Sequence, residues 1–285
     1  MGISFGPGGN SISFGNKKFP EDLPEYLECF GLNGYEFECG RGVRISEKTY
    51  NLVPDLAKKH NICLSLHAPY YISLSSDNEE TRLKSVNYII ESAKAAKRLG
   101  AKKIVVHSGS CSKTTRERAL GLAKDTLKAS VAALRERELK DIVICPETMG
   151  KINQLGTLEE VIELCLVDAS FLPCVDFGHL NARSGGGIRS DSDYESVFDK
   201  IENALGFERL KNMHIHFSKI MYTVGGEKMH LTFEDTVYGP EFEPLIELIA
   251  KRGLTPSIVC ESQGTQAEDA GVMKKYYERT LRLGE

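Results

Sequence analysis

Short apolar runs alternate along the chain with longer stretches of helical period. The runs are GISF (2–5), YEFEC (35–39), ICLSL (62–66), KIVVH (103–107), DIVICPE (141–147), LPCVDF (172–177), NMHIHF (212–217) and SIVCE (257–261). Their length and their Val, Ile and aromatic content predict eight strands. Between them, 45–60, 79–100, 115–137, 157–167, 194–206 and 244–253 have helical period. In the third of these, Ala119, Leu122, Leu127, Val131 and Leu134 return every three to five positions. Ser46 and the Thr157–Glu160 pair have the spacing of N-caps, and Gly100 and Gly253 stand where helices stop.

Eight strand–helix units in 285 residues average about 36 residues each, the repeat of a (β/α)8 TIM barrel. An open doubly wound sheet is the alternative. No Pro/Gly/Ser linker, charge block or low-complexity segment divides the chain, so residues 1–285 are expected to form one α/β barrel domain. The long connections 178–192 and 218–241 are expected to be functional loops.

Composition narrows the class. With 41% apolar and 27% charged residues the chain can build a large core, which excludes a disordered or disulfide-stapled protein. No stretch of about 18 apolar residues and no leader pattern occurs, so a cytoplasmic monomer without membrane contact is expected. The eight cysteines have no C-x-x-C pair, and several sit inside apolar runs, as buried reduced thiols do. A net charge of −4 argues against a general polyanion binder, so a nucleic-acid role needs a locally positive face.

The chemistry collects at strand ends. His67, His107, His179, His214, His216 and His230 all fall at or just beyond the C-terminal ends of predicted strands, and only His60 does not. Glu147, Asp176 and Glu261 end strands 5, 6 and 8. In a barrel these ends converge on the face that carries active sites. Nine such groups would repel and desolvate one another unless cations joined them. Imidazole and carboxylate without thiolate suit zinc, manganese or iron, and the imidazole count favours zinc, with Mn2+ as the other choice. The ligands exceed what one tetrahedral ion takes, so a two- or three-metal cluster with a bridging carboxylate is expected, an arrangement suited to in-line displacement at phosphorus.

The segments SLHAPYYISL (65–74), VVHSGS (105–110), PET (146–148), VDFGH (175–179), HIHFSK (214–219) and VCES (259–262) resemble, in order and one per strand, the motifs of endonuclease IV, the zinc-dependent apurinic/apyrimidinic endonucleases. The resemblance implies a first zinc on His67, His107 and Glu147. It implies a second on Glu147, Asp176, His214 and Glu261, and a third on His179 and His230. Glu147 and Glu261 would be the catalytic carboxylates, the first bridging two zincs and the second orienting or deprotonating the nucleophile. Tyr70 matches the family position that helps open the duplex. The third zinc's Asp is replaced here by Lys228, with Glu227, Glu234, Asp235 or His216 as substitutes. Arg41, Arg44 and Lys219 would contact phosphate, and Lys113, Arg183, Arg189 and Lys228 extend the positive face.

The implied activity is incision of DNA 5′ to an abasic site in base excision repair, leaving a 3′-hydroxyl. The competing reading is a sugar isomerase or epimerase of the xylose isomerase-like superfamily, with one divalent ion on Glu147, Asp176, His214 and Glu261. A metal-stabilised binding module is a third. His67 and His107 discriminate, because they have the placement of ligands for a second metal that a sugar epimerase does not need.

Overall fold

The computed structural model describes residues 2–284. Strands β1 (Ser4–Pro7), β2 (Gly34–Glu38), β3 (Cys63–His67), β4 (Lys103–Val106), β5 (Val143–Pro146), β6 (Cys174–Asp176) and β7 (His214–Phe217) follow the predicted runs. The hairpin strands β8 (Lys219–Thr223) and β9 (Gly226–Leu231) come next, and then β10 (Ser257–Cys260). The eight predicted strands pair in parallel as β2-β3-β4-β5 and β6-β7-β10-β1. Bridges Gly8–Glu36 and Glu147–Cys174 join the two sheets at both seams, closing a (β/α)8 barrel.

The helices are α1 (Leu23–Cys29), α2 (Glu47–Lys59), α3 (Glu79–Leu99), α4 (Arg116–Glu136), α5 (Leu158–Cys165), α6 (Phe177–Arg183), α7 (Asp191–Leu205), α8 (Phe207–Lys211), α9 (Glu243–Arg252) and α10 (Gln266–Gly284). The predicted signals set their ends. Ser46 accepts from the Thr49 amide, Thr157 and Glu160 form a reciprocal capping box, and Gly100 and Gly253 adopt the left-handed cap. Leu99, Leu127, Val161, Phe198 and Ile249 are all buried against the barrel wall. All eight cysteines are free thiols, and five are buried. Among the described residues, no helix is long and apolar enough to cross a membrane.

Both connections expected to be loops carry structure. The first opens with α6. The second folds into the β8–β9 hairpin, which lies against α6. Two backbone hydrogen bonds dock its turn on the loop after β5, Ile152 N–H to Gly225 O at 3.1 Å and Glu227 N–H to Gly150 O at 3.1 Å, and together they form the Lys151–Gly226 bridge. Gly226 permits this approach. Its φ is +90°, and a Cβ there would lie 2.1 Å from the Gly150 carbonyl oxygen. Arg183 reinforces the same loop by donating to the carbonyls of Met149, Lys151, Ile152 and Gln154. It therefore braces the β5 loop and does not contribute to a phosphate-binding face.

Gly226→Ala is expected to cost about 1–3 kcal/mol through left-handed strain alone and to undock the hairpin. Hydrogen exchange at the Ile152 and Glu227 amides should accelerate, and wild-type protection would show that the hairpin is not anchored at this turn.

Candidate metal centre

The C-terminal ends of the strands deliver nearly all the predicted ligands to one place. Glu147, at the end of β5, is buried and central. Its Oε2 lies 3.3 Å from His67 Nε2 and 2.9 Å from His107 Nε2, and its Oε1 lies 3.1 Å from His216 Nδ1 and 3.5 Å from His179 Nδ1. Each oxygen thus faces a different pair of imidazoles, the disposition of a bridging ligand.

Local structure orients the rings. His67 Nδ1 pairs with the Ala68 carbonyl at 2.8 Å, which leaves Nε2 for the centre. Asp176 is the N-cap of α6: its Oδ1 accepts from the His179 amide at 2.7 Å, while its Oδ2 is buried without a hydrogen-bond partner. The same helix turn carries His179, whose Nδ1 pairs with Thr148 O at 2.9 Å and whose Nε2 lies 3.4 Å from Glu227 Oε2. His230 Nδ1 pairs with Ser218 Oγ at 2.8 Å.

Among the described residues five groups have ligand atoms within 4.8 Å of one another. Three of them, His67–His107–Glu147, Glu147–Asp176–His216–Glu261 and His179–Glu227–His230, gather the predicted ligands, and Cys174–His214–His216 and Glu36–Glu38–Glu261 lie beside them. One predicted assignment changes, and one choice that the sequence left open narrows. His214 does not reach the second group. It lies one rung deeper, paired with Cys174 in register, while His216 shares a rung with Asp176. Side chains two residues apart on a strand share a face, so the sequence pattern could not say which rung meets the carboxylates. Among the substitutes for the missing Asp, the structure selects Glu227. Lys228 is exposed, Glu234 is exposed, and the Asp235 carboxylate caps the Val237 and Tyr238 amides.

The electrostatics follow from burial. Burial opposes ionisation of Glu147, but the charges of His107 and His216 and hydrogen bonds from His107 and His179 outweigh it and hold the carboxyl well below its usual range. For Glu261, burial dominates and pushes the pKa up to about 8, with Glu147, Asp176 and Glu38 adding and His216 opposing. Burial also works against the His67 imidazolium, yet the Glu147 bond and the Glu38, Glu147 and Glu36 charges raise its pKa to about 10. The donors suit divalent ions of the zinc, manganese or iron type. The orphaned Asp176 Oδ2 is an acceptor that such an ion would satisfy.

The centre opens into a cleft of about 1280 Å³ whose lining includes Arg41, Arg44, Lys151 and Tyr70. Arg41 and Arg44 are exposed there. Tyr70, 54% exposed, stacks on His107 with ring centroids 5.2 Å apart. Gly40 makes room for that ring, since a Cβ at 40 would come within 2.2 Å of it. Lys219, predicted to contact phosphate, is buried instead. Its Nζ donates to Asp235 O at 2.7 Å and to Glu241 Oε1 at 2.8 Å, tying down the segment after the hairpin.

A model of the xylose isomerase-like TIM barrel family matches residues 24–278. The chain belongs to this family. Within it, the chain is 32% identical over 281 residues to the uncharacterized protein MJ0133 of Methanocaldococcus jannaschii, covering 97% of each. It is 30% identical over 206 residues to a probable endonuclease 4 of Mycoplasma pneumoniae, covering 69% of this chain and 67% of the relative. Among solved structures it resembles a D-tagatose 3-epimerase-like protein at TM-score 0.72 and 19% identity, covering 99% of each chain. It also resembles endonuclease IV from Thermus thermophilus at TM-score 0.67 and 20% identity, covering 98% of this chain and 99% of the other. Structural likeness at this identity shows the barrel fold alone.

With His67 titrating near 10 and Glu261 near 8, a site without metal holds protons at pH 7 that a cation must displace. Metal affinity should therefore rise with pH, by about tenfold per pH unit for each proton released. Chelator competition between pH 6 and 8 measures this, and a flat profile would contradict it.

Proposed function

We propose that this protein is a zinc-dependent phosphodiesterase that incises DNA 5′ to an abasic site, leaving a 3′-hydroxyl. One observation carries the reading: three imidazole–carboxylate groups meet around one cleft, two of them sharing Glu147 and the third completed by Glu227 and His230 from the hairpin. His67, His107 and Glu147 would hold one ion, and Glu147, Asp176, His216 and Glu261 a second. His179, Glu227 and His230 would hold a third. Bound there, divalent ions supply Lewis acidity and an activated water near neutral pH.

The chain's own groups do the rest. Glu147 sets the spacing between the first two sites with its two oxygens. Glu261 borders the cleft, lies 3.5 Å from His216 Nδ1, and stands to orient or accept a proton from the nucleophile. Arg41 and Arg44 offer exposed guanidinium groups to the DNA backbone, and the Tyr70 ring offers a stacking face at the rim. The cleft lining carries four carboxylates (Glu38, Glu147, Glu227, Glu261) against Arg41, Arg44 and Lys151. A polyanion therefore fits only once cations are bound, so DNA affinity should depend on metal and fall with salt.

A second reading is a divalent-metal sugar epimerase. It is favoured by the compactness of Glu147–Asp176–His216–Glu261, one ligand each from β6 and β7 and one each just past β5 and β10. It assigns no work to His67, His107 or the hairpin pair.

Metal-analysed protein is to be incubated with an abasic-site duplex and, separately, with ketoses. The account expects incision of the duplex and more than one bound ion per chain. Ketose epimerisation with a single ion and no incision would overturn it. Glu261→Gln should retain the metals and lose turnover by at least about a hundredfold, on the scale of a lost general base. Wild-type incision by this variant would remove Glu261 from the mechanism.

A further inference from the structure

One turn beneath the metal centre lies a second buried polar layer that the chemistry above does not use. Glu36 points inward from β2 and is fully buried. Its Oε2 accepts from Ser65 Oγ at 2.6 Å and lies 3.0 Å from His214 Nε2, and its Oε1 lies 2.8 Å from His216 Nε2. Ser65 is its partner in the β2–β3 register, so backbone pairing holds that hydroxyl in place. The two imidazole contacts are bent: neither Nε2–H points straight along its N···O line, and Glu36 Oε1 and His216 Nε2 make no in-line hydrogen bond. They are close polar contacts in a buried, low-dielectric interior, where electrostatic interactions are strong.

His216 thus lies between two carboxylates. On one side Nε2 faces Glu36, and on the other Nδ1 faces Glu147 Oε1 at 3.1 Å and Glu261 Oε1 at 3.5 Å. A ring placed this way can offer a lone pair at one nitrogen only if its other nitrogen keeps the proton. We propose that Glu36 is the positioning residue of the centre: it retains the Nε2 proton of His216 and so directs Nδ1 to the ion shared with Glu147, Asp176 and Glu261. A carboxylate on the far nitrogen also makes the imidazole a stronger donor to the ion. Contact with Glu36 is common to both histidines on this face, so the upper carboxylates make the choice between them. His214, a rung lower, meets Glu36 but none of the three upper carboxylates, and it serves as a flank of this layer.

The inference rests on the metal-centre reading, and the test separates the two. Zinc affinities of wild type, Glu36→Gln and Ser65→Ala are to be measured by chelator competition. The His216 tautomer is to be read in the zinc-loaded protein by long-range 15N–1H correlation. Glu36→Gln should weaken one class of zinc site about 10–100-fold while the others keep wild-type affinity, and Ser65→Ala should weaken that same class by a smaller factor. In the wild type, His216 should bind through Nδ1 with Nε2 protonated. Coordination through Nε2, or a Glu36→Gln protein that matches wild type within about twofold, would overturn the role of Glu36 and leave the metal centre standing. A wild type that binds no divalent ion would overturn both. Should Glu36→Gln fail to fold, the wild-type tautomer decides alone.

Discussion

The structure turns on a single buried carboxylate. Glu147 sits at the end of β5 with four imidazoles from four other elements within 3.5 Å of its two oxygens. An ionised carboxylate in such a place is tolerable only because those rings can carry positive charge or share a cation with it. Everything that brings the rings there serves this requirement. β3 and the end of β4 supply His67 and His107, the first turn of α6 supplies His179, and β7 supplies His216.

The same demand accounts for the elaborations of the barrel. A plain strand–helix repeat would leave Nε2 of His179 with no carboxylate to face. The β8–β9 hairpin brings Glu227 and His230 opposite His179, and its turn is held by backbone bonds to the loop after β5, the strand that carries Glu147. Beneath, Glu36 gives His216 a third carboxylate neighbour, on its other ring nitrogen, so the polar network extends one layer into an interior usually filled by branched apolar side chains. The polar groups of the barrel interior are thereby brought into contact, while Glu36 Oε1, Asp176 Oδ2 and both His214 ring nitrogens keep no hydrogen-bond partner.

Much of this is legible in the sequence because barrel strands and their ends have simple signatures. The eight apolar runs map onto the observed strands within two residues at each end, and the Ser46 and Thr157 caps and the glycine stops bound α2, α5, α3 and α9. His67, His107, Glu147, Asp176, His179 and Glu261 arrive at one face because strand ends in a barrel must, and His230 arrives there on the hairpin. Three features are not legible. His214 and His216 share a face, and only barrel stagger decides which rung meets the carboxylates. The hairpin follows directly on β7, and its Gly225–Gly226 turn, the one available signal, lies in a segment whose polarity reads as a loop. Lys219 has the position of a rim cation, but the hairpin fold carries it inward to Glu241. Glu36 does leave a trace: in YEFEC the aromatic residues alternate with glutamates, and a glutamate on the inward face of a barrel strand requires a partner.

The xylose isomerase-like barrel accommodates both phosphodiester and sugar chemistry, so fold likeness does not choose between them. The number and placement of ions do. The most direct measurement is a crystal structure of the zinc-loaded protein with anomalous scattering at the zinc edge. The account predicts peaks in all three groups, two of them bridged by Glu147, with Nδ1 of His216 and not His214 among the ligands. A single peak on Glu147, Asp176, His216 and Glu261, with His67, His107, Glu227 and His230 unligated, would contradict it.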